Sequence, residues 1–342
     1  MRNKFLQHAT RPVDVADRTI GQLADAMLGT GFQGRKLAES IAAWDEMLKE
    51  KDTTIFMGLT GAMVPAGMRR IVSYLIQHRF IDCLVSTGAN MFHDIHEALG
   101  RKHYVGSHLA DDEELFKHGV DRIYDVFAVE SEFRTADHFI ADFASTLPKK
   151  DYSSREFMSI LGEELKRRGG DRDSIVISAY ENDVPIFIPA LCDSSIGIGL
   201  MIARRGGNFV NVDQIKDVDE ITQMVEASGK TGVVYVGGGV PKNFIQQTEV
   251  ITSILGLDVG GHDYAIQFTA DAPHWGGLSG CTFDEAVSWG KISPVAKKVQ
   301  VFVDATIALP IVAHALREKI GRRVRKAPAY DWTGDKLKIK YK

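Results

Sequence analysis

Apolar positions follow two rhythms along the chain. Over the first fifty residues they recur at helical spacing, as Ile20, Leu23, Ala24, Met27 and Leu28, and then as Leu37, Ile41, Trp44 and Leu48. Thr30-Gly31-Phe32-Gln33 separates the two predicted helices. From Thr53 the rhythm changes to short continuous apolar runs that end in glycine-bearing loops. Thr53 to Leu59 leads into Thr60-Gly61, Ile81 to Val85 into Thr87-Gly88, and Thr231 to Val236 into Gly237-Gly238-Gly239. Helical patterns follow over Met68 to His78, over Phe92 to Leu99 and from Val240 onward. Strand, glycine loop and helix in repetition predict an α/β fold, with a central, mostly parallel sheet flanked by helices. Two more strands are expected at Tyr264 to Phe268 and Val299 to Val303, and an apolar run from Val184 to Leu191 precedes Asp193. The middle of the chain, Asp111 to Asp173, reads as polar and helical, with an acidic helix start at Asp111 and a break at Gly169-Gly170. The expected organisation is a helical arm over 1–50, an α/β domain over 51–325 and a lysine-rich surface tail over 326–342.

Composition narrows the function classes. At 342 residues the chain is long enough for a large core. No apolar run approaches the roughly 18 residues of a membrane span, and the N-terminus has no apolar signal region. Three scattered cysteines, Cys83, Cys192 and Cys281, fit a reducing cytoplasm. A formal net charge of −4 argues against nucleic-acid binding. The basic run Arg322 to Lys326 reads as a solvated surface or an interface.

In parallel sheets, ligands sit at the carboxyl ends of the strands. Thr60, Gly61, Thr87, Gly88, Gly238, Asp304 and Ala305 all fall at such ends, and the triple glycine opens a helix where a pyrophosphate can bind. Asp193, after its apolar run, is placed either to accept ribose hydroxyls or to cap the next helix. His93 and His96 share a helical face but have no third ligand partner in the sequence, so no metal site is expected.

The densest chemistry lies in Thr269 to Lys291, TADAPHWGGLSGCTFDEAVSWGK. Thr282 and Glu285 have capping-box spacing. Gly290 is placed to end the short helix in a left-handed conformation, which leaves Lys291 to project beside Trp289. Taken alone, Lys291 reads first as a cation favoured by the dipole at a helix C-terminus.

The run EAVSWGK, Glu285 to Lys291, resembles the active-site signature of the deoxyhypusine synthase family. TGFQ from Thr30, GLTGAMVPAG from Gly58, STGA from Ser86, ALCDSSIG from Ala190, GGGV from Gly237 and the late VDA ending at Ala305 agree with that family in the same order. The resemblance implies a Rossmann-like NAD-binding domain and a homotetramer whose active sites are shared between paired subunits. It implies Lys291 as covalent nucleophile with Glu285 beside it. It places NAD against Thr60, Gly61, Thr87, Gly88, Asp193, Gly238, Thr269, Ala270, Ser279, Asp304 and Ala305. It places a polyamine against Trp289, Asn243, Gly276, Gly277, Leu278, Ile198 and His93.

The reaction implied moves an aminobutyl group from spermidine, through a lysine imine, to an acceptor amine. The attacking lysine must be neutral, although an ordinary lysine titrates near about 10.4. The chain departs from the family inside the polyamine pocket. Ile198 and Leu278 stand where aspartates are usual, Asn243 where a histidine is, and His93 where a glutamate is. His274 and Trp275 are also unlike the family pattern. Loss of two carboxylates removes anchors for a polycation. The alternatives are homospermidine synthesis with putrescine as acceptor, and a silent homologue that binds NAD or polyamine.

Overall fold

Six of the apolar runs are strands of one sheet: β1 (Thr53–Leu59), β2 (Cys83–Ser86), β3 (Ile186–Phe187), β4 (Lys230–Val236), β5 (His262–Thr269) and β6 (Ile292–Phe302). The computed structural model describes residues 4, 6–208, 210–257, 259–321, 325–334 and 336–342. The strands lie in the order β3-β2-β1-β4-β5-β6, and every neighbouring pair is parallel. The chain moves outward from β1 to β3, returns to β4 beside β1, and moves outward again to β6. This is the strand order of doubly wound dinucleotide-binding sheets, whose ligand crevice opens where the order reverses, here between β1 and β4.

Alternation along the strands explains why both faces are covered. Ile55, Met57, Leu59, Val234, Val236, Ile266 and Phe268 enter one core, while Phe56, Val233, Tyr235 and Ala265 enter a second on the other face. The helices that position the site are α1 (Ile20–Met27), α2 (Phe32–Lys49), α3 (Arg69–Gln77), α4 (Gly88–Ala98), α5 (Ser195–Arg205), α6 (Gly239–Ile254), α7 (Phe283–Ser288) and α8 (Ala305–Ile320). The helices of the N-terminal arm belong to the first core: Ala24, Leu37, Ile41 and Trp44 pack there with Leu309 and Leu316 of α8. The buried Trp44 indole donates to the carbonyl of Phe80 at 3.2 Å.

Several boundaries differ from expectation, each for a local reason. α4 begins at Gly88 rather than Phe92, because the Thr87 hydroxyl caps it by accepting from the Asn90 N–H. A wide turn over Val64–Met68, with Gly67 at φ 82°, precedes α3. β6 begins at Ile292, well before Val299. Pro294 conceals it in the sequence, but β6 is an edge strand, where a missing N–H is tolerated. The middle of the chain is not helical throughout: Tyr104–Val105, Val120–Ile123 and Val126–Val129 form a small antiparallel sheet.

The closing segment does more than cover surface. Pro328–Asp331 pairs with Lys338–Tyr341 as an antiparallel hairpin, and Leu337 is buried. Its lysines do remain exposed. Of the basic run, 322–324 lie outside the described residues. Arg325 is not solvated: its guanidinium pairs with the buried Asp82 carboxylate at 2.8 Å and donates to the carbonyl of Thr53. Asp82 in turn accepts from the Ile55 N–H at 2.8 Å, so this pair ties the tail to the start of β1. Among the described residues, no helix is long and apolar enough to cross a membrane. Arg325→Ala leaves the Asp82 charge under-compensated, and the expected loss is about 3 kcal/mol of unfolding free energy. Urea denaturation checks it; an unchanged midpoint refutes the role given to this pair.

Candidate active site

The carboxyl ends of the strands form one rim, and hydrogen bonds lace them together. The Thr60 hydroxyl donates to Gly238 O at 2.6 Å, and the Thr87 hydroxyl donates to Gly61 O at 2.9 Å. Thr60 follows β1 and Gly238 follows β4, so the first bond spans the crevice where the strand order reverses. Gly238 is glycine for want of room: a Cβ there meets Ser279 Cα at 2.4 Å. The Ser279 hydroxyl accepts from the Gly239 N–H at 3.1 Å, fixing the loop after β5 to the start of α6. Thr269 ends β5, with Ala270 exposed beside it. Asp304 caps α8 by accepting from the Thr306 N–H at 2.8 Å, and Ala305 is the first residue of that helix. Asp193 is exposed in the turn before α5. Gly88 lies against Ser194, whose Oγ is 2.3 Å from where its Cβ would stand.

Lys291 enters from the other end of the strands: it precedes the first residue of β6, and the His262 N–H at the start of β5 donates to its carbonyl at 3.3 Å. Gly290 adopts φ 71°, and the Lys291 N–H closes back onto Ala286 O at 3.1 Å, which terminates α7 in a left-handed cap. The backbone then enters β6 directly, so the lysine sits between a fixed turn and a strand. Its ammonium donates to Asn243 Oδ1 at 3.1 Å and lies 5.2 Å from the centre of the Trp289 ring. Asn243 is held by its own amide, which donates to Gln247 Oε1 at 2.8 Å. These groups line a cavity of about 370 Å³ together with Gly276, Gly277, Leu278 and Glu285. Only half of the expected capping box forms. The Thr282 hydroxyl accepts from the Glu285 N–H at 3.1 Å, while the Glu285 carboxylate lines the cavity.

Beneath the cavity lies a group that sequence reasoning passed over. Lys242, on α6, is 1% exposed. Its ammonium donates to Gln267 Oε1 at 2.9 Å and to Cys281 O at 2.7 Å. Gln267 also donates to Gly237 O at 2.7 Å and Ser279 O at 2.9 Å, so one amide and one ammonium bind β5, α6 and the loop before α7 together. Burial lowers the Lys242 pKa from 10.5 to about 8; the charges of Cys281 and Glu285 oppose the shift and that of Lys291 assists it. The signal was present in the sequence. Lys242 continues the inward stripe of α6 through Ile245, Glu249 and Thr252, an unusual place for a lysine.

Two predicted substrate residues are not brought to this cavity. Ile198 is exposed on α5, which follows β3. β3 and β6 are the two edges of the sheet, five strand spacings or about 24 Å apart. His93 is buried on α4 in a cluster of aromatic and histidine rings. It meets His103 Nε2 at 3.0 Å, and burial, with the charges of His103 and His96, pushes it down to about 3. Within one chain, neither residue can touch a small ligand held at Lys291. Among the described residues, no group of three or more His, Cys, Asp or Glu is arranged to hold a metal ion.

The burial of Lys242 has a measurable pH signature. Below about pH 8 the lysine is charged in both the folded and the unfolded chain, and the burial penalty is full. Between about 8 and 10.5 the folded chain has lost a proton that the unfolded chain keeps, so stability rises with pH; above that window the penalty is gone. Relative to wild type, Lys242→Met is expected to remove about 3 kcal/mol of this rise. Urea denaturation across the window checks it, and parallel wild-type and variant curves refute it.

Comparison with known proteins agrees with the geometry. The family model for deoxyhypusine synthase matches residues 22–316. A protein of Methanosarcina acetivorans named probable deoxyhypusine synthase 2 is 72% identical over 99% of both chains. One of the same name from Archaeoglobus fulgidus is 58% identical over 89% of this chain and 99% of its own. A deoxyhypusine synthase-like protein of Chlorobaculum parvum is 39% identical over 90% of this chain and 89% of its own. Among solved structures, one from Entamoeba histolytica bearing the deoxyhypusine synthase name superposes with a TM-score of 0.62 at 19% identity, covering 89% of this chain and 96% of that one, a likeness of fold. The chain belongs to the deoxyhypusine synthase family.

Proposed function

We infer that this protein uses NAD to move an aminobutyl group from a polyamine, spermidine or a similar amine, through an imine on Lys291, to an acceptor amine. The observation that carries the reading is the placement of Lys291. Its nitrogen lies in an amine-sized cavity with one carboxylate, two amides and an indole face. That cavity lies beside a sheet with dinucleotide-binding strand order, and Gly276, Gly277 and Leu278, from the loop after β5, join it to the carboxyl-end rim.

The residues of the crevice fit a dinucleotide. α6 opens on glycines, Gly238 admits close backbone approach, and Asp193 and Asp304 are exposed at strand ends to accept ribose hydroxyls. Once bound there, the nicotinamide supplies the hydride acceptor of the first half-reaction and the donor of the second. Lys291 bonds to the oxidised carbon and expels propane-1,3-diamine from spermidine. Glu285 holds an ammonium or moves a proton, and the Trp289 face contributes about 0.5–2 kcal/mol to a cation. Burial holds Lys242 down to about 8, and the neighbouring Lys291 charge adds to that shift.

The separation of Ile198 and His93 from Lys291 supports the homotetramer as well. If both contact substrate, they do so at the Lys291 of a neighbouring subunit.

Intermediate trapping tests the reaction. Incubation with NAD and spermidine or putrescine, followed by borohydride, is expected to leave an aminobutyl mass on Lys291 by peptide mass spectrometry, and none in Lys291→Ala. No adduct with either amine, in a protein that binds NAD, defeats the reading. For the cofactor, Asp304→Ala is expected to weaken NAD binding about tenfold by calorimetry; wild-type affinity in that variant removes Asp304 from the site.

A further inference from the structure

A second cavity, of about 510 Å³, lies on the other side of Trp289. It runs between the C-terminal half of α6, the residues Gly256, Leu257, Val259, Gly260 and Gly261, and the start of β6. Trp289 and Val250 line both this cavity and the one that holds Lys291. Its walls are otherwise mostly apolar, with Leu257, Val259 and Ile292, and Glu249 is its one ionisable group among the described residues that line it.

Glu249 is an uncommon residue to find there. It is 3% exposed, and among the described residues neither carboxylate oxygen has a well-formed hydrogen bond, the Gly261 N–H coming only near enough to favour its charge. Its nearest basic neighbour is His262, whose Nδ1 is 3.1 Å from Oε1. That nitrogen also meets the Thr231 hydroxyl at 2.9 Å. Full burial holds His262 neutral, with its pKa pushed down to about 3, so it offers no counter-charge. Burial lifts Glu249 to about 7, against the pull of the Gly261 N–H and with a contribution from Asp263. A buried carboxylate without a cation is costly, and an arriving ammonium relieves that cost. An aliphatic chain suits the walls, and the Trp289 face suits a cation or the methylenes beside it.

The wall between the cavities is thin. Gly290 lines the second cavity, and the His262 N–H donates to the carbonyl of Lys291 at 3.3 Å. On each side of Trp289, then, there is one carboxylate: Glu285 with the lysine and Glu249 without it.

We propose that the second cavity holds the acceptor, a short free alkyl diamine, with one ammonium on Glu249 and its chain passing Trp289 toward Lys291. This rests on the aminobutyl-transfer reading of Lys291. The acceptor's free nitrogen bonds to the carbon of the protonated imine, both bonds from that carbon to the Lys291 nitrogen are replaced by those to the incoming nitrogen, and one proton passes from the incoming amine to the departing lysine, leaving a neutral Lys291 amine and a new protonated imine. The exchange is redox-neutral. It also gives a two-substrate reaction two amine sites that share a wall.

Binding is measured first, without cofactor or turnover. Calorimetric titration of the full chain with butane-1,4-diamine is expected to show two sites. One is lost in Glu249→Gln and also in Leu257→Trp, which fills the cavity from an exposed rim position. A single site, or two sites indifferent to both variants, overturns the proposal. The half-reactions are then separated. Lys291 in Glu249→Gln still loads from spermidine, whereas discharge of the unreduced imine by added diamine, read as loss of the mass that later borohydride can trap, requires at least tenfold more diamine than in wild type. Equal discharge overturns the acceptor role. If both diamine sites appear but wild type never loads Lys291, the transfer reading fails while the second amine site stands.

Discussion

The site depends on one buried ammonium. Lys242 is held between the side chain of Gln267 on β5 and the backbone of Cys281, and through Gln267 it is linked to Gly237 at the end of β4 and to Ser279. The loop from Asp271 to Cys281 has little regular structure of its own, only a single turn at Pro273–Trp275. Its path is set by hydrogen bonds to the sheet and α6, not by apolar burial, and Lys242 supplies the strongest of these because a charged donor outweighs a neutral one. A neutral residue there would leave the carbonyl of Cys281 and the Gln267 amide to find water inside the protein. The same charge faces Glu285 and Lys291, so the group that shapes the loop also sets the electrostatic background of the cavity.

The sheet and its ligand edge were legible because each strand ends in a glycine-bearing loop or a capping residue. The apolar runs marked β1, β2 and β4, and Gly290 marked the turn that presents Lys291. The strand order was not legible. Nothing in Val184 to Leu191 indicates that only Ile186–Phe187 would pair, or that it would form an edge. β6 was cut short in the reading by Pro294, and the closing hairpin was hidden by lysines that alternate with Ile339 and Tyr341. Polar residues buried by tertiary contact, Lys242, Glu249 and Arg325, were the systematic blind spot. Periodicity puts them on inward faces, while residue type argues for water.

The candidate site was legible mainly through short motifs, and those motifs carry no distances. They do not reveal that Ile198 and His93 lie toward the far edge of the sheet from Lys291, nor that His93 is enclosed by rings and neutral. A motif groups residues by what they do in an assembly, whereas a single chain groups them by strand position. The two agree for Asn243, Leu278, Glu285 and Trp289, which come from elements next to β6, and disagree for residues that follow β2 and β3.

Two of the positions expected to differ from the family pattern, unlike the buried His93, carry little of the fold. Ile198 and Leu278 are 46% and 44% exposed, and neither belongs to a buried core cluster. An exchange between carboxylate and aliphatic side chain at such a position is close to neutral for folding, since surface substitutions usually change stability by less than about 0.5 kcal/mol. The lining of the cavity is therefore free to drift while the crevice between β1 and β4 and the turn before Lys291, held by close backbone packing, stay fixed. A lineage carrying two copies of such a gene can diversify what one copy accepts through a few surface codons, without first acquiring the stabilising changes that a rebuilt core demands.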